Sequence, residues 1–212
     1  MKRIALFILH RVILRNTLRF IVGIQYRKQE VLKSVDQFVI VANHNSHLDT
    51  LAMLASLPSN KLHITRPVAA KDYFGKTRFT ELLSNFFLNT LLIERKISRD
   101  SAQLNPVEQM VDALDRGFSL IIFPEGTRGQ PEEFQAFKKG IGKVLIEKPH
   151  IPYVPVYTFG LGKSMPKGDE LIIPFNSTIL FGNPKIVQSD KPQDIVKEIE
   201  SDILKLKKEL GN

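Results

Sequence analysis

Two short stretches hold residue types able to move a proton and to grip an anion. The first, Val39–Thr50, reads V-I-V-A-N-H-N-S-H-L-D-T. Its apolar run stops at Asn43-His44, and Asp49 follows His44 with four residues between. Histidine is the side chain whose ordinary pKa lies near neutrality. With Asp49 accepting from one ring nitrogen, the other could take a proton from an incoming hydroxyl while the carboxylate stabilises the imidazolium formed. The same residues also read as a helix start, because Ser46-His47-Leu48-Asp49 has capping-box spacing with Asp49 in place of the usual Glu. On the second stretch, Phe123-Pro124-Glu125-Gly126-Thr127-Arg128, Gly126 lets a backbone approach a ligand and Thr127 offers a hydroxyl. Arg128 adds a planar fork matched to phosphate, and Glu125 could orient it or bind a substrate hydroxyl. A polar turn with a local Glu–Arg pair would have the same composition.

Chemistry of this kind needs rigid elements behind it. Gln37–Ala42 reads as a buried strand and His47–Leu57 as a helix ended by Pro58. Leu62–Ala70 is a strand candidate weakened by Pro67. Arg78–Leu88 is helical, Thr90–Glu94 a strand, and Val107–Asp115 a helix stopped at Gly117. Phe118–Phe123 is the clearest strand, so the Glu125 loop should leave the same sheet rim as other strand-terminal loops. Phe137–Glu147 is helical and Ile151–Tyr157 strand-like. Leu171–Phe175 and Ser177–Phe181 could pair through a short connection, and Gln193–Leu210 forms a charged amphipathic helix. This rhythm predicts an α/β fold, a mixed and largely parallel sheet flanked by helices.

Composition narrows the chemistry. The chain has 212 residues and no cysteine, which excludes disulfides, thiolate nucleophiles and cysteine-held zinc. No serine sits in a G-x-S-x-G elbow, so no covalent route is evident. Of the formal charge of +8, residues 1–33 carry +7, with eight basic residues against Glu30. A basic arm on a nearly neutral body argues against nucleic acid as partner. Its uncharged runs fall far short of the ~20 residues that span a bilayer, and arginines interrupt any signal-peptide core. Arg11, Arg15 and Arg19 recur at helical spacing, with Leu9, Ile13, Phe20 and Ile24 roughly opposite. Such a helix can lie in a membrane interface, its cations on anionic headgroups, or pack on the domain with a solvated charged face. The expected division is a basic amphipathic membrane-associating segment over 1–33 and a single α/β domain over 34–212.

Taken together, N-H-x-x-x-x-D and F-P-E-G-T-R resemble the glycerophospholipid acyltransferase family, especially its lysophosphatidic acid acyltransferases (1-acylglycerol-3-phosphate O-acyltransferases). Lys71 in A-A-K-D-Y-F, Leu92-Ile93-Glu94-Arg95, and Tyr153-Val154-Pro155-Val156 resemble the family's intermediate and downstream blocks, so the likeness runs from about residue 38 to 157. A second histidine, His47, lies inside the first block, and Gly129 stands where members of the family often have serine. The resemblance implies that His44 is the base and Asp49 its partner in direct acyl transfer from a thioester to a hydroxyl. Glu125, Gly126, Thr127 and Arg128 would hold a glycerol-phosphate acceptor, with Lys71 and Arg95 as further phosphate contacts. It implies no metal and no cofactor beyond the acyl thioester, carried by CoA or acyl carrier protein as co-substrate. The partners it implies are a lysophospholipid acceptor and an anionic phospholipid surface, with the protein peripheral or monotopic on the cytoplasmic face. The Phe- and Leu-rich segment Phe74–Leu92 could line an acyl-chain tunnel or form a core helix.

Other readings stay open. The acceptor could be another lysophospholipid or a lyso-aminolipid. H-x-x-H-x-D supplies His44, His47 and Asp49 as possible ligands of a metal-dependent hydrolase. A membrane-binding module without activity would leave Glu125–Arg128 unexplained.

Overall fold

The computed structural model describes residues 2–71, 88–94, 104–131, 133–165 and 171–211. Arg95 and, but for Leu88, the helix expected over Arg78–Leu88 lie outside the described residues. Among those described, seven strands form one sheet in the order β1-β7-β6-β2-β5-β3-β4. They are β1 (Ile24–Arg27), β2 (Val39–Ala42), β3 (Thr65–Ala70), β4 (Leu91–Ile93), β5 (Ser119–Ile122), β6 (Tyr153–Phe159) and β7 (Ser177–Phe181). β6, β2, β5, β3 and β4 run parallel, β7 is antiparallel to β6, and β1 is parallel to β7. The mixed, largely parallel sheet is the one expected.

β2 and β5 are buried at every position because helices cover both faces of the sheet's centre, which is why they read as continuous apolar runs. One face carries α4 (Pro106–Asp115), α5 (Gly140–Glu147) and α7 (Pro192–Gly211) on Val39, Val41, Leu120 and Ile122. The other carries α3 (Leu48–Ser56) and the N-terminal helical segment on Ile40, Ala42, Val154 and Val156. A short helix, α6 (Leu161–Ser164), follows β6. At α4, Asn105 accepts from the amides of Val107 and Glu108, the Glu108 carboxylate accepts from the Asn105 amide, and Pro106 opens the helix. The buried Tyr153 hydroxyl donates to Asp202 (2.8 Å), which Lys185 also meets (2.6 Å), pinning α7 to the sheet. Pro67 fits in β3 because pairing to β5 ends there and pairing to β4 begins at Val68.

Three expectations fail. Leu171–Phe175 is not a strand. β7 instead pairs with β6 and with β1, whose first residue, Ile24, read as part of the basic helix. The helical segment itself runs α1 (Lys2–Phe7), a π-helix (Ile8–Leu14), α2 (Arg15–Thr17) and a second π-helix (Leu18–Val22), stopped by Gly23 at φ 81. π-turns bond i to i+5, and Leu6, His10, Leu18 and Val22, spaced in multiples of four, are all buried. Ile24 is a buried strand residue, not part of the helix's apolar face. Arg15 also leaves the expected cationic stripe. Its Nη1 donates to Gln29 Oε1 and to the Ala55 carbonyl (both 3.0 Å), and its guanidinium lies 4.6 Å from the Tyr26 ring. No described helix is long and apolar enough to cross a membrane.

Candidate active site

β2 and β5 are neighbours in register, Val41 beside Ile122, so the residues that follow them leave the sheet side by side. Their carboxyl-terminal rim is where open α/β sheets bind ligands. Asn43 continues β2 with its side chain. Its Nδ2 donates to the Thr158 carbonyl (2.9 Å) and its Oδ1 accepts from the Thr158 amide (2.8 Å), which holds the chain against β6 up to His44.

His44 is fixed from three directions. Its amide donates to Glu125 Oε1 (3.1 Å), its carbonyl accepts from the Gly129 amide (2.9 Å), and its ring stacks on Phe123 with centroids 4.2 Å apart. Nδ1 meets Asp49 Oδ2 at 2.9 Å. The same oxygen accepts from the amides of Asn45 (2.7 Å) and Ser46 (2.8 Å). Capping and histidine pairing are therefore not rivals here, because one buried oxygen serves both. A carboxylate only accepts, so the proton of this contact sits on Nδ1 and the neutral ring carries its lone pair on Nε2. The Asp49 side chain is fully buried and that of His44 is 18% exposed, so the pair is anchored inside and open on one side. Ser46 does not close a capping box with Asp49. Its Oγ accepts from the Leu48 amide (3.1 Å) and donates to the Met165 carbonyl (2.9 Å).

In the second stretch, Gly126 adopts φ +74 and its amide donates to the Phe123 carbonyl (3.0 Å). A Cβ there would meet Lys138 Nζ, so a lysine from the following segment lies against the turn. Glu125 is buried, and its Oε2 has no hydrogen-bond partner among the described residues. Burial pushes its carboxyl up to about 8, helped by the negative Asp49 and opposed by the bond from the His44 amide. Arg128 reaches back across the β2–β5 boundary to contact the His47 ring. Burial lowers the His47 pKa, and the Arg128 charge lowers it further.

This arrangement brings a histidine–carboxylate pair, a buried carboxyl and an arginine to one sheet rim, in the chain order found in one known family. The sequence pattern of the acyltransferase family matches residues 23–159. The chain belongs to the acyltransferase family. A 1-acyl-sn-glycerol-3-phosphate acyltransferase of Chlamydomonas reinhardtii is 32% identical over 141 residues, covering 62% of this chain and 37% of that protein. One of Limnanthes douglasii is 26% identical over 201 residues, covering 93% of this chain and 68% of that protein. The crystal structure of the 1-acyl-sn-glycerophosphate (LPA) acyltransferase of Thermotoga maritima shares the fold. Its TM-score is 0.71 at 21% identity, covering 89% of this chain and 72% of that one. The chain spans less than half the length of most of the curated relatives it matches.

In this acyltransferase Lys71 follows β3, and its ammonium pairs with Glu94 at 2.7 Å at the end of β4. Lys71 and Glu94 thus lie on the same rim as the Glu125 loop, one and two strands out from β5. Thr127 is exposed. Among the described residues no three His, Asp or Glu side chains are placed to share a metal ion. His47 faces Arg128, and Asp49 Oδ2 accepts from three N–H groups, one of them His44 Nδ1. Sequence reasoning missed Asn43 as the clamp to β6, Phe123 as the platform under the His44 ring, and Lys138 beside Gly126. Asn43 and Phe123 sit inside the quoted motifs, but their roles depend on which strands are neighbours. Lys138 carried no signal.

Proposed function

We propose that this acyltransferase works at a membrane surface, moving an acyl group from the thioester of CoA or acyl carrier protein to the free hydroxyl of lysophosphatidic acid, giving phosphatidic acid. The observation that carries this reading is the bond from His44 Nδ1 to buried Asp49, which leaves Nε2 as the basic atom on the open side. His44 Nε2 takes the proton of the acceptor hydroxyl as its oxygen attacks the thioester carbonyl. The C–O bond forms, the C–S bond breaks, and the departing thiolate takes the proton back from the imidazolium. Asp49 stabilises that imidazolium. Glu125, with its free oxygen turned to the acceptor, and the Gly126–Thr127 turn position the glycerol. Arg128 grips the phosphate, with Lys71 and Arg95 as further cations.

In this reading residues 1–33 attach the protein, peripherally or monotopically, to the cytoplasmic face of an anionic bilayer, and residues 34–212 carry the chemistry. β1 makes the first part a piece of the sheet as well. The same machinery would serve another lysophospholipid with a different headgroup. The test is the purified protein assayed against a panel of lyso-acceptors and acyl donors, with His44→Ala alongside. Phosphatidic acid forms with wild type in excess chelator and not with His44→Ala. Wild-type-like turnover by His44→Ala would sink the mechanism.

A further inference from the structure

Leu171, Ile172 and Ile173 are 79%, 45% and 58% exposed, three consecutive large aliphatic side chains facing solvent. Isolated exposed aliphatics are ordinary, but a contiguous apolar patch marks an interaction surface. Strand pairing does not account for this one, since the segment joins no strand. Among the described residues, two backbone bonds hold this stretch of chain. The Ile173 amide donates to the Ser164 carbonyl (2.8 Å), and the Phe175 amide donates to the Val22 carbonyl (3.2 Å). The second bond sets the strip beside the end of the N-terminal helical segment, where Phe20 is 84% and Ile21 55% exposed. The first sets it on α6, whose next residue, Met165, accepts at its carbonyl from Ser46 Oγ beside Asp49. The apolar strip therefore lies between the helical segment and the candidate active site.

We propose that Leu171–Ile173 is a second lipid-inserting element, distant in sequence from the N-terminal helix, which holds the mouth of the site against an anionic bilayer. The proposal rests on the function proposed above and adds to it a surface that the basic arm does not supply. Charge selects lipid as the occupant. Lys163 lies 5.0 Å from the Phe175 ring and 5.8 Å from the Phe159 ring at the base of the strip, and Arg19 is exposed next to Phe20. Residues 1–33 carry the net +7. Aliphatic groups flanked by Lys163 and Arg19 match an interface in which acyl chains lie beneath anionic headgroups.

The chain has no tryptophan, so a single one reports its own surroundings. Full-length Ile172→Trp is titrated with vesicles of phosphatidylcholine and phosphatidylglycerol, and with vesicles carrying brominated acyl chains. A blue-shifted emission that bromine quenches is expected. The variant L171S/I172S/I173S should bind the same vesicles roughly tenfold more weakly or worse, since burial of one such side chain alone is worth about that factor. Its turnover of a water-soluble, short-chain lyso-acceptor in vesicle-free buffer should stay near that of wild type. Unchanged Trp emission in vesicle-bound protein, wild-type vesicle affinity in the triple variant, or a blue shift on self-association without vesicles would each overturn the proposal. Vesicle insertion of the strip in a protein that transfers no acyl group would uphold the strip and overturn the reaction.

Discussion

Asp49→Asn separates the two duties that one carboxylate oxygen performs. Oδ2 accepts from His44 Nδ1, the Asn45 amide and the Ser46 amide at 2.9, 2.7 and 2.8 Å. Three donors converging on one point select the amide oxygen of asparagine for that position, because its NH₂ there would face N–H groups. The loop and the ring tautomer then survive, and what disappears is the negative charge beside the imidazolium. Positioned general-base catalysis is worth on the order of 10²–10⁴ in rate, and kcat should fall by up to that factor. KM for the acceptor should stay within about threefold, because the charge matters mainly once the proton has moved. Asp49→Ala differs in kind. It strips the acceptor from two buried amides, each costing ~1–3 kcal/mol unpaired, so ~2–6 kcal/mol of stability goes with the activity. Thiol release from an acyl thioester measures kcat, and urea denaturation measures stability. An Asp49→Asn enzyme with wild-type kcat would reduce the carboxylate to a loop clasp. Asp49→Ala unfolding at the wild-type midpoint would refute the clasp.

Glu125→Gln tests the buried carboxyl. The native group titrates near 8 against an ordinary 4.5, so the folded state holds its proton more tightly than the unfolded one. Its contribution to stability is full below pH 4.5, falls as pH rises through about 8, and is constant beyond. The urea-midpoint advantage of wild type over Glu125→Gln should decline across that window, and a flat difference would refute the buried-acid assignment. Arg128→Ala should raise KM for a phosphate-bearing acceptor by about 10–100-fold, the worth of a charge-assisted bond, with kcat little changed; steady-state kinetics with an unchanged KM would remove Arg128 from the acceptor site. Gly142→Ala places a Cβ against the Pro192 carbonyl oxygen, closer than van der Waals contact allows, where α5 meets α7. Backbone cannot yield as a side-chain tip can, so thermal denaturation should register a loss of ~1–3 kcal/mol.

Where local pattern and burial agree, the sequence was legible. β2 and β5 are apolar runs because the sheet's centre is covered on both faces, and α7 shows its buried stripe at Ile195, Ile199 and Ile203. β1 was hidden because I-Q-Y-R continues an apolar and basic run without a break in composition, and its partner β7 lies far along the chain. Gly23, with its left-handed backbone, was the one local signal of the boundary. L-I-I-P-F has strand composition but no strand beside it, since β6 and β1 occupy both edges of β7. At the site, the motif residues were readable one by one, whereas their mutual support was not. The bonds from the His44 backbone to Glu125 and Gly129 exist because β2 and β5 are neighbours, a fact of topology.

The N-terminal segment shows most directly how sequence pattern and tertiary packing can diverge. Its arginines suggested one charged face, yet Arg15 turns inward to Gln29, Ala55 and Tyr26. Leu6, Leu18 and Val22 are 1–2% exposed, with Leu18 and Val22 built into the same apolar layer as α3. Phe7, Val12, Ile13 and Phe20 meanwhile stand outward, exposed to solvent. One helix thus seals the core with one side and offers an apolar surface with the other. Cutting the segment away removes both together, so a loss of lipid binding after truncation would say nothing about which side was responsible. Changing only the outward residues leaves Leu18, Val22 and the Arg15 contacts in place. The surface role of the helix can be isolated only at those positions.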